Sequence, residues 1–143
     1  MNVLIIDGQG GALGKILVKA VAEAMPDCAI RAVGTNSAAT QAMLKGGPAK
    51  GATGENAVIV ACREADVILG PMGIVMADAL LGEVTPAMAA AVARSRARRI
   101  LIPMDQCTTA VAGRAPGTVA GRIESALALL KNFNPERGFS QWH

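Results

Sequence analysis

The sequence is short of aromatic residues. It has no tyrosine, and Phe133, Phe139 and Trp142 all fall in the last eleven positions beside the sole histidine, His143. The core must therefore be aliphatic, and the body of the chain offers no surface for stacking nucleic-acid bases. Cysteine is equally sparse: Cys28, Cys62 and Cys107 lie far apart, form no CxxC pair and meet no histidine at zinc spacing. That pattern excludes a disulfide framework and a Cys/His zinc site, and points to reduced thiols in the cytoplasm. No basic n-region precedes an apolar signal segment, and no apolar run approaches the roughly 18 residues needed to span a bilayer, so neither export nor membrane insertion is expected. The charge excess is small, +3 with a pI near 9.0. Its one cluster, Arg94, Arg96, Arg98 and Arg99, is expected to close a helix, where cations complement the negative end of the dipole. Nucleic acid is accordingly a disfavoured partner.

What the chain has in quantity is aliphatic bulk and glycine. With 143 residues, of which 52% are hydrophobic, it can fill the core of one domain of ordinary size. Asn2 to Asp7 (NVLIID) is a short apolar run halted by glycines, as a buried parallel strand is. Leu13, Ile16, Leu17, Ala20, Val21 and Ala24 then recur at helical spacing up to Pro26. Cys28 to Gly34 reads as a second strand, and Ser37 is expected to cap a helix running through Met43 and Leu44 toward Gly46 and Gly47. Residues 48 to 54 read as a loop, Glu55 to Ala65 as a helix in preference to a strand, and Asp66 to Gly70 as the next buried strand. Gly73 to Leu81 reads as helical, and Thr85-Pro86 as a helix start with the hydroxyl as N-cap. Ile100 to Met104 is a further strand and Thr108 to Ala112 a candidate edge strand. Val119, Ile123, Ala126, Leu127 and Leu130 stripe a last helix. Alternating strands and helices imply an α/β fold, a Rossmann-like three-layer sandwich with a mostly parallel sheet of about five strands. Residues 1–132 make the domain and 133–143 a tail.

The glycine loop Asp7-Gly8-Gln9-Gly10-Gly11-Ala12-Leu13-Gly14-Lys15 lies between a strand and a helix. Glycines there let backbone amides approach a phosphate that the positive helix end also attracts; alternatively they make only a tight turn. The spacing departs from the dinucleotide fingerprint, because position 13 is Leu. It also departs from the P-loop, because Gly10 to Gly14 is one residue short and Ile16 stands where a hydroxyl would meet magnesium. If the strands are parallel, Thr35, Asn36 and Ser37, then Gly70, Pro71 and Gly73, then Asp105-Gln106-Cys107 share one rim with it, where open α/β sheets bind ligands. The second strand ends without the acid that reads ribose hydroxyls, which leaves NADP, another nucleotide or a simple phosphate open. Asp7 and Asp105 either share a magnesium ion or cap turns. Glu55 and Glu83 either join the site or cap helices. Thr53, Gly54, Glu55 and Asn56, in GATGEN, suit a second phosphate loop or a lid. Cys107 is the only cysteine in a candidate site loop, and it lacks the base that a nucleophile needs.

IDGQGG (6–11), GTNSAAT (34–40), GATGENA (51–57), GPMGI (70–74), LGEVTPAMA (81–89) and LIP (101–103) occur in a specific order. Over residues 1 to about 131 the chain resembles a family of short bacterial proteins, common among Firmicutes, known only as a domain of unknown function. The resemblance implies a compact Rossmann-like protein and names no catalytic residue. It also implies Asn-Arg-Cys where this chain has Asp105-Gln106-Cys107, one positive charge fewer in that loop. The reading is a module or small enzyme that binds a nucleotide or other phosphorylated metabolite at Gly8, Gly10, Gly11 and Gly14. The alternative is a regulatory or scaffold subunit that recognises a protein partner. A mean hydropathy of +0.38, and the apolar run Ile74, Val75, Met76, Leu80, Leu81, Met88 and Val92, lead to the expectation of a homodimer or larger oligomer.

Overall fold

The computed structural model describes residues 1–105 and 108–137. Gln106, Cys107 and the aromatic end of the tail, with Phe139, Trp142 and His143, lie outside the described residues.

The first strand, β1 (Asn2–Asp7), is buried on both faces. Val3 and Ile5 point into one apolar cluster, Leu4 and Ile6 into another. That alternation follows from the two-residue period of a strand placed at the centre of a sheet. After it come α1 (Ala12–Ala24), β2 (Ala29–Gly34), α2 (Ser37–Leu44), β3 (Lys50–Thr53), α3 (Glu55–Glu64), β4 (Val67–Pro71), a 3₁₀ turn (Met72–Val75), α4 (Pro86–Arg94), β5 (Arg98–Ile102) and α5 (Val119–Lys131). All strand pairings are parallel, in the order β3-β2-β1-β4-β5.

From β1 the chain builds outward through β2 to β3, then returns to the other side of β1 for β4 and β5. Right-handed crossovers then require α1 and α2 to cover one face and α3 and α4 the other, while α5, which follows the last strand, packs on the face of α1 and α2. Leu17, Val18 and Val21 of α1, Met43 of α2, and Ile123, Ala126 and Leu130 of α5 fill one side. Val58, Ala61 and Cys62 of α3 and Met88, Ala89 and Val92 of α4 fill the other. The first residue of the tail, Phe133, packs against the α1/α5 side.

Several sequence expectations need correction. Residues 50–53 are a strand, not a loop: KGAT carries no apolar pattern, and pairing with β2 alone recruits it. The cap of α2 is Asn36, whose side chain accepts the Ala39 amide, and Ser37 is the first helical residue. The segment 73–81 is not a helix beyond the 3₁₀ turn, because Asp78, Leu80 and Leu81 take positive φ. No strand forms at 108–112. Of the arginine cluster only Arg94 lies in α4, while Arg98 and Arg99 belong to β5; Arg99 nevertheless reaches back to donate to the Ser95 carbonyl at 2.7 Å. The apolar run 74–92 is mostly interior: Ile74, Met88 and Val92 are buried, and Leu81 alone stands out, 96% exposed.

Candidate functional site

The sheet changes direction between β1 and β4, and in open α/β sheets the crevice beyond the strand ends at such a point is where ligands bind. A cleft of about 730 Å³ lies there, lined by residues 7–13 of the glycine loop, 71–73 and 76–81 after β4, and Met104, Thr108 and Thr109 after β5. Another hollow, of about 540 Å³, lies at the opposite strand ends near Asn2, Arg31 and Lys50, away from the glycine loop after β1.

Asp7 sets the shape of the glycine loop. Its buried carboxylate accepts the Gly8 amide at 2.8 Å and the Gly14 amide at 2.7 Å, so it closes the loop and caps α1 from outside the helix. Burial raises its pKa; the bonds from Gly14 and Gly8 oppose that rise, and the nearby Glu83 charge adds to it. Gly11, the residue before the helix, has φ +71°, and a methyl on it would lie 2.6 Å from the Ala39 carbonyl oxygen. Gly14 faces Asp7 Cβ and Met43 Cγ, each 2.8 Å from where its own Cβ would be. Nothing lies within 4 Å of the same position on Gly10. Among the described residues no acceptor meets the amides of Gly10, Ala12 or Leu13. The helix therefore presents orphan donors at its positive end to the cleft.

The loop also meets a carboxylate from far along the chain. Gln9, itself at φ 51°, donates its amide to Glu83 Oε2 at 3.0 Å, and Thr35 Oγ1 donates to Glu83 Oε1 at 3.1 Å. Asn36 Nδ2 donates to the same carboxylate and to the Gln9 carbonyl at 3.0 Å. Residues 76–84 thus form a strap lying back across the ends of β1 and β2. Asp78 N to Val84 O at 2.7 Å and Val84 N to Ala79 O at 3.1 Å fix its base. The acid missing from the end of β2 is present there after all, delivered by the segment after β4.

The predicted site residues divide accordingly. Gly8, Gln9, Gly10, Gly11, Pro71 and Gly73 line the cleft, and so does Asp7. Gly14 and Gly70 stand just behind it; Gly70 is pressed against the Ile6 carbonyl. Thr35 and Asn36 are engaged with Glu83, and Ser37 opens α2. Thr53 pairs with Thr40 through their hydroxyls at 2.7 Å, Gly54 precedes α3 at φ +100°, and Glu55 accepts the Thr85 hydroxyl at 2.6 Å; none of these, nor Asn56, borders the cleft. Asp105 forms ion pairs with Arg114 at 2.5 Å and Arg122 at 3.2 Å, and these hold its pKa below the usual range. Asp7 and Asp105 therefore serve separate partners, and no cluster of three or more His, Cys, Asp or Glu suited to a metal occurs among the described residues. The sequence reading missed Met76, Leu80, Met104, Thr108 and Thr109 as lining residues. Only the recurrence of methionine around 72–76 hinted at them.

A Rossmann-like α/β domain with a glycine loop at its switch point is the class that fold and cleft define. The chain belongs to the family described as a domain of unknown function (DUF3842), whose model matches residues 2–134. No curated protein sequence matches it. A solved structure similar to it is that of a dodecameric FMN-dependent UbiX-like decarboxylase from Escherichia coli O157:H7. The two are 19% identical, with a TM-score of 0.43 over 92% of this chain and 76% of that one. No helix among the described residues is long and apolar enough to cross a membrane.

Proposed function

We propose that the chain binds a nucleotide or other phosphorylated metabolite in the switch-point cleft, with a phosphate on the amides of Gly10, Ala12 and Leu13. The observation that carries the reading is the set of three amides without acceptors at the N-terminus of a 13-residue helix, opening onto a cleft of ligand size. Among the described residues lysine and arginine are absent from the cleft lining, so the backbone alone would supply the positive potential. The reading is one of binding, because Asp7 and Glu83, the carboxylates that hydrogen-bond the loop, are both held by amides, which leaves Asp78 as the other carboxylate on the cleft lining. The protein works in the cytoplasm, with Cys28 and Cys62 as free thiols. It self-associates, and the exposed Leu81 at the tip of the strap supports that part of the proposal. Calorimetric titration with NAD, NADP, FMN, ATP and sugar phosphates tests the reading. Saturable binding by at least one, lost in Gly10→Val, is expected; silence from all of them rejects it.

A further inference from the structure

The half of the crevice on the β2 side is already full. In dinucleotide-binding sheets of this order, the pyrophosphate crosses the glycine loop and the ribose lies between that loop and the end of β2, hydrogen-bonded to an acid. Here Leu80 stands in that space: a methyl placed on Gly8 would lie 2.8 Å from Leu80 Cδ1 and 2.6 Å from Thr35 Oγ1. Glu83 takes the Gln9 amide and the Thr35 and Asn36 side chains. These are the donors that a nucleoside at the end of β2 would use. Neither Thr35 nor Asn36 borders the cleft, whereas Met104, Thr108 and Thr109 on the β5 side do.

Resting on the phosphate-binding reading above, we infer that the strap makes this a site for phosphomonoesters and excludes dinucleotides. Leu80 and Glu83 are its specificity-determining residues. A ligand keeps its single phosphate on Gly10, Ala12 and Leu13 and extends its body toward the loops after β4 and β5. A dinucleotide would have to lift the strap, breaking the Glu83 contacts. NADP would also set its 2′-phosphate against the Glu83 carboxylate, a like-charge repulsion. Expulsion of the strap is opposed at its end by Val84, which is 1% exposed.

The test follows the backbone amides of the ¹⁵N-labelled full chain during titration with inorganic phosphate, ribose 5-phosphate, AMP and NADP. The expected result is movement of Gly10, Ala12 and Leu13 with the first three, little movement of Gln9, Thr35 and Asn36, and NADP binding no tighter than AMP. The double variant Leu80→Ala with Glu83→Ala, or Leu80→Ala alone, is expected to gain at least about tenfold in NADP affinity relative to AMP, which corresponds to about 1.4 kcal/mol. If NADP binds the unaltered chain tenfold more tightly than AMP and moves Gln9 and Thr35, the inference is overturned and the phosphate site stands. If no phosphate compound moves Gly10, Ala12 or Leu13, the phosphate reading itself falls, and the inference with it.

Discussion

Adding one methyl group to either of two adjacent glycines should have opposite consequences. In Gly11→Ala the new side chain is held at φ +71°, in the left-handed region, and its Cβ sits 2.6 Å from the Ala39 carbonyl oxygen and 2.8 Å from Ala39 Cα. The conformation costs about 1–2 kcal/mol for an L-residue. The overlap is with backbone of α2, which cannot rotate aside, and adds about 1–3 kcal/mol. The sum, about 2–5 kcal/mol, is a large part of the roughly 5–15 kcal/mol that holds a domain together. Gly10 has ordinary backbone geometry and an empty surround, so Ala there loses nothing in the folded state. It also reduces the freedom of the unfolded chain, which makes Gly10→Ala neutral or stabilising by up to about 1 kcal/mol. Urea unfolding followed by far-UV circular dichroism measures both, with equal slopes required before midpoints are compared. A Gly11→Ala loss below about 1 kcal/mol, or a Gly10→Ala loss above it, refutes the reasoning. The two variants should differ in the other sense for binding, since only the methyl at position 10 projects where a phosphate is proposed.

Three further outcomes are expected. Because burial raises the Asp7 pKa in the folded state, its contribution is fully present below the unfolded value of about 3.9 and is lost as pH rises through the native value. Stability of the unaltered chain minus that of Asp7→Asn should therefore fall between pH 3 and pH 7, and a flat or rising difference in pH-resolved denaturation contradicts this. Burial pushes the Cys62 thiol up to about 11, leaving roughly one thiolate in a thousand at pH 8, so mass-resolved iodoacetamide labelling should modify Cys28 well before Cys62. If Leu81 anchors self-association, light scattering at micromolar concentration should give a multiple of 14.5 kDa, and Leu81→Ser should reduce it; a native mass near 14.5 kDa removes the oligomer.

The elements legible in the sequence are those whose burial writes a period into it. The strand β1, with five of its six residues buried, and α1, with Leu13, Leu17, Val18 and Val21 inward, are of this kind. By contrast β3 exists through backbone pairing of Lys50–Thr53 with Arg31–Gly34, which leaves no mark on side-chain type. The strap defeated periodicity because its two leucines look helical while both adopt positive φ. Its course depends on Glu83 meeting Gln9, a contact across 74 positions of chain that no local pattern announces. The common rim of the loops followed from parallel strands. The allocation of that rim, open beside β4 and β5 and filled beside β2, did not.

The glycine loop itself shows how a motif can be part scaffold and part site. Gly8 makes room for Leu80 and Thr35, Gly11 provides a left-handed turn against Ala39, and Gly14 lets α1 approach Asp7 and Met43. Each of these three is required by the protein's own packing and would be glycine in a domain that bound nothing. Gly10 is required by none of it. A residue that costs backbone entropy on folding and returns no contact or special geometry is a net loss of about 0.5–1 kcal/mol against alanine, unless the vacant volume has a use. That volume adjoins the unpaired amides of Ala12 and Leu13. Within this loop, the position of the one glycine the fold does not need thus points to where a ligand's anionic group would sit.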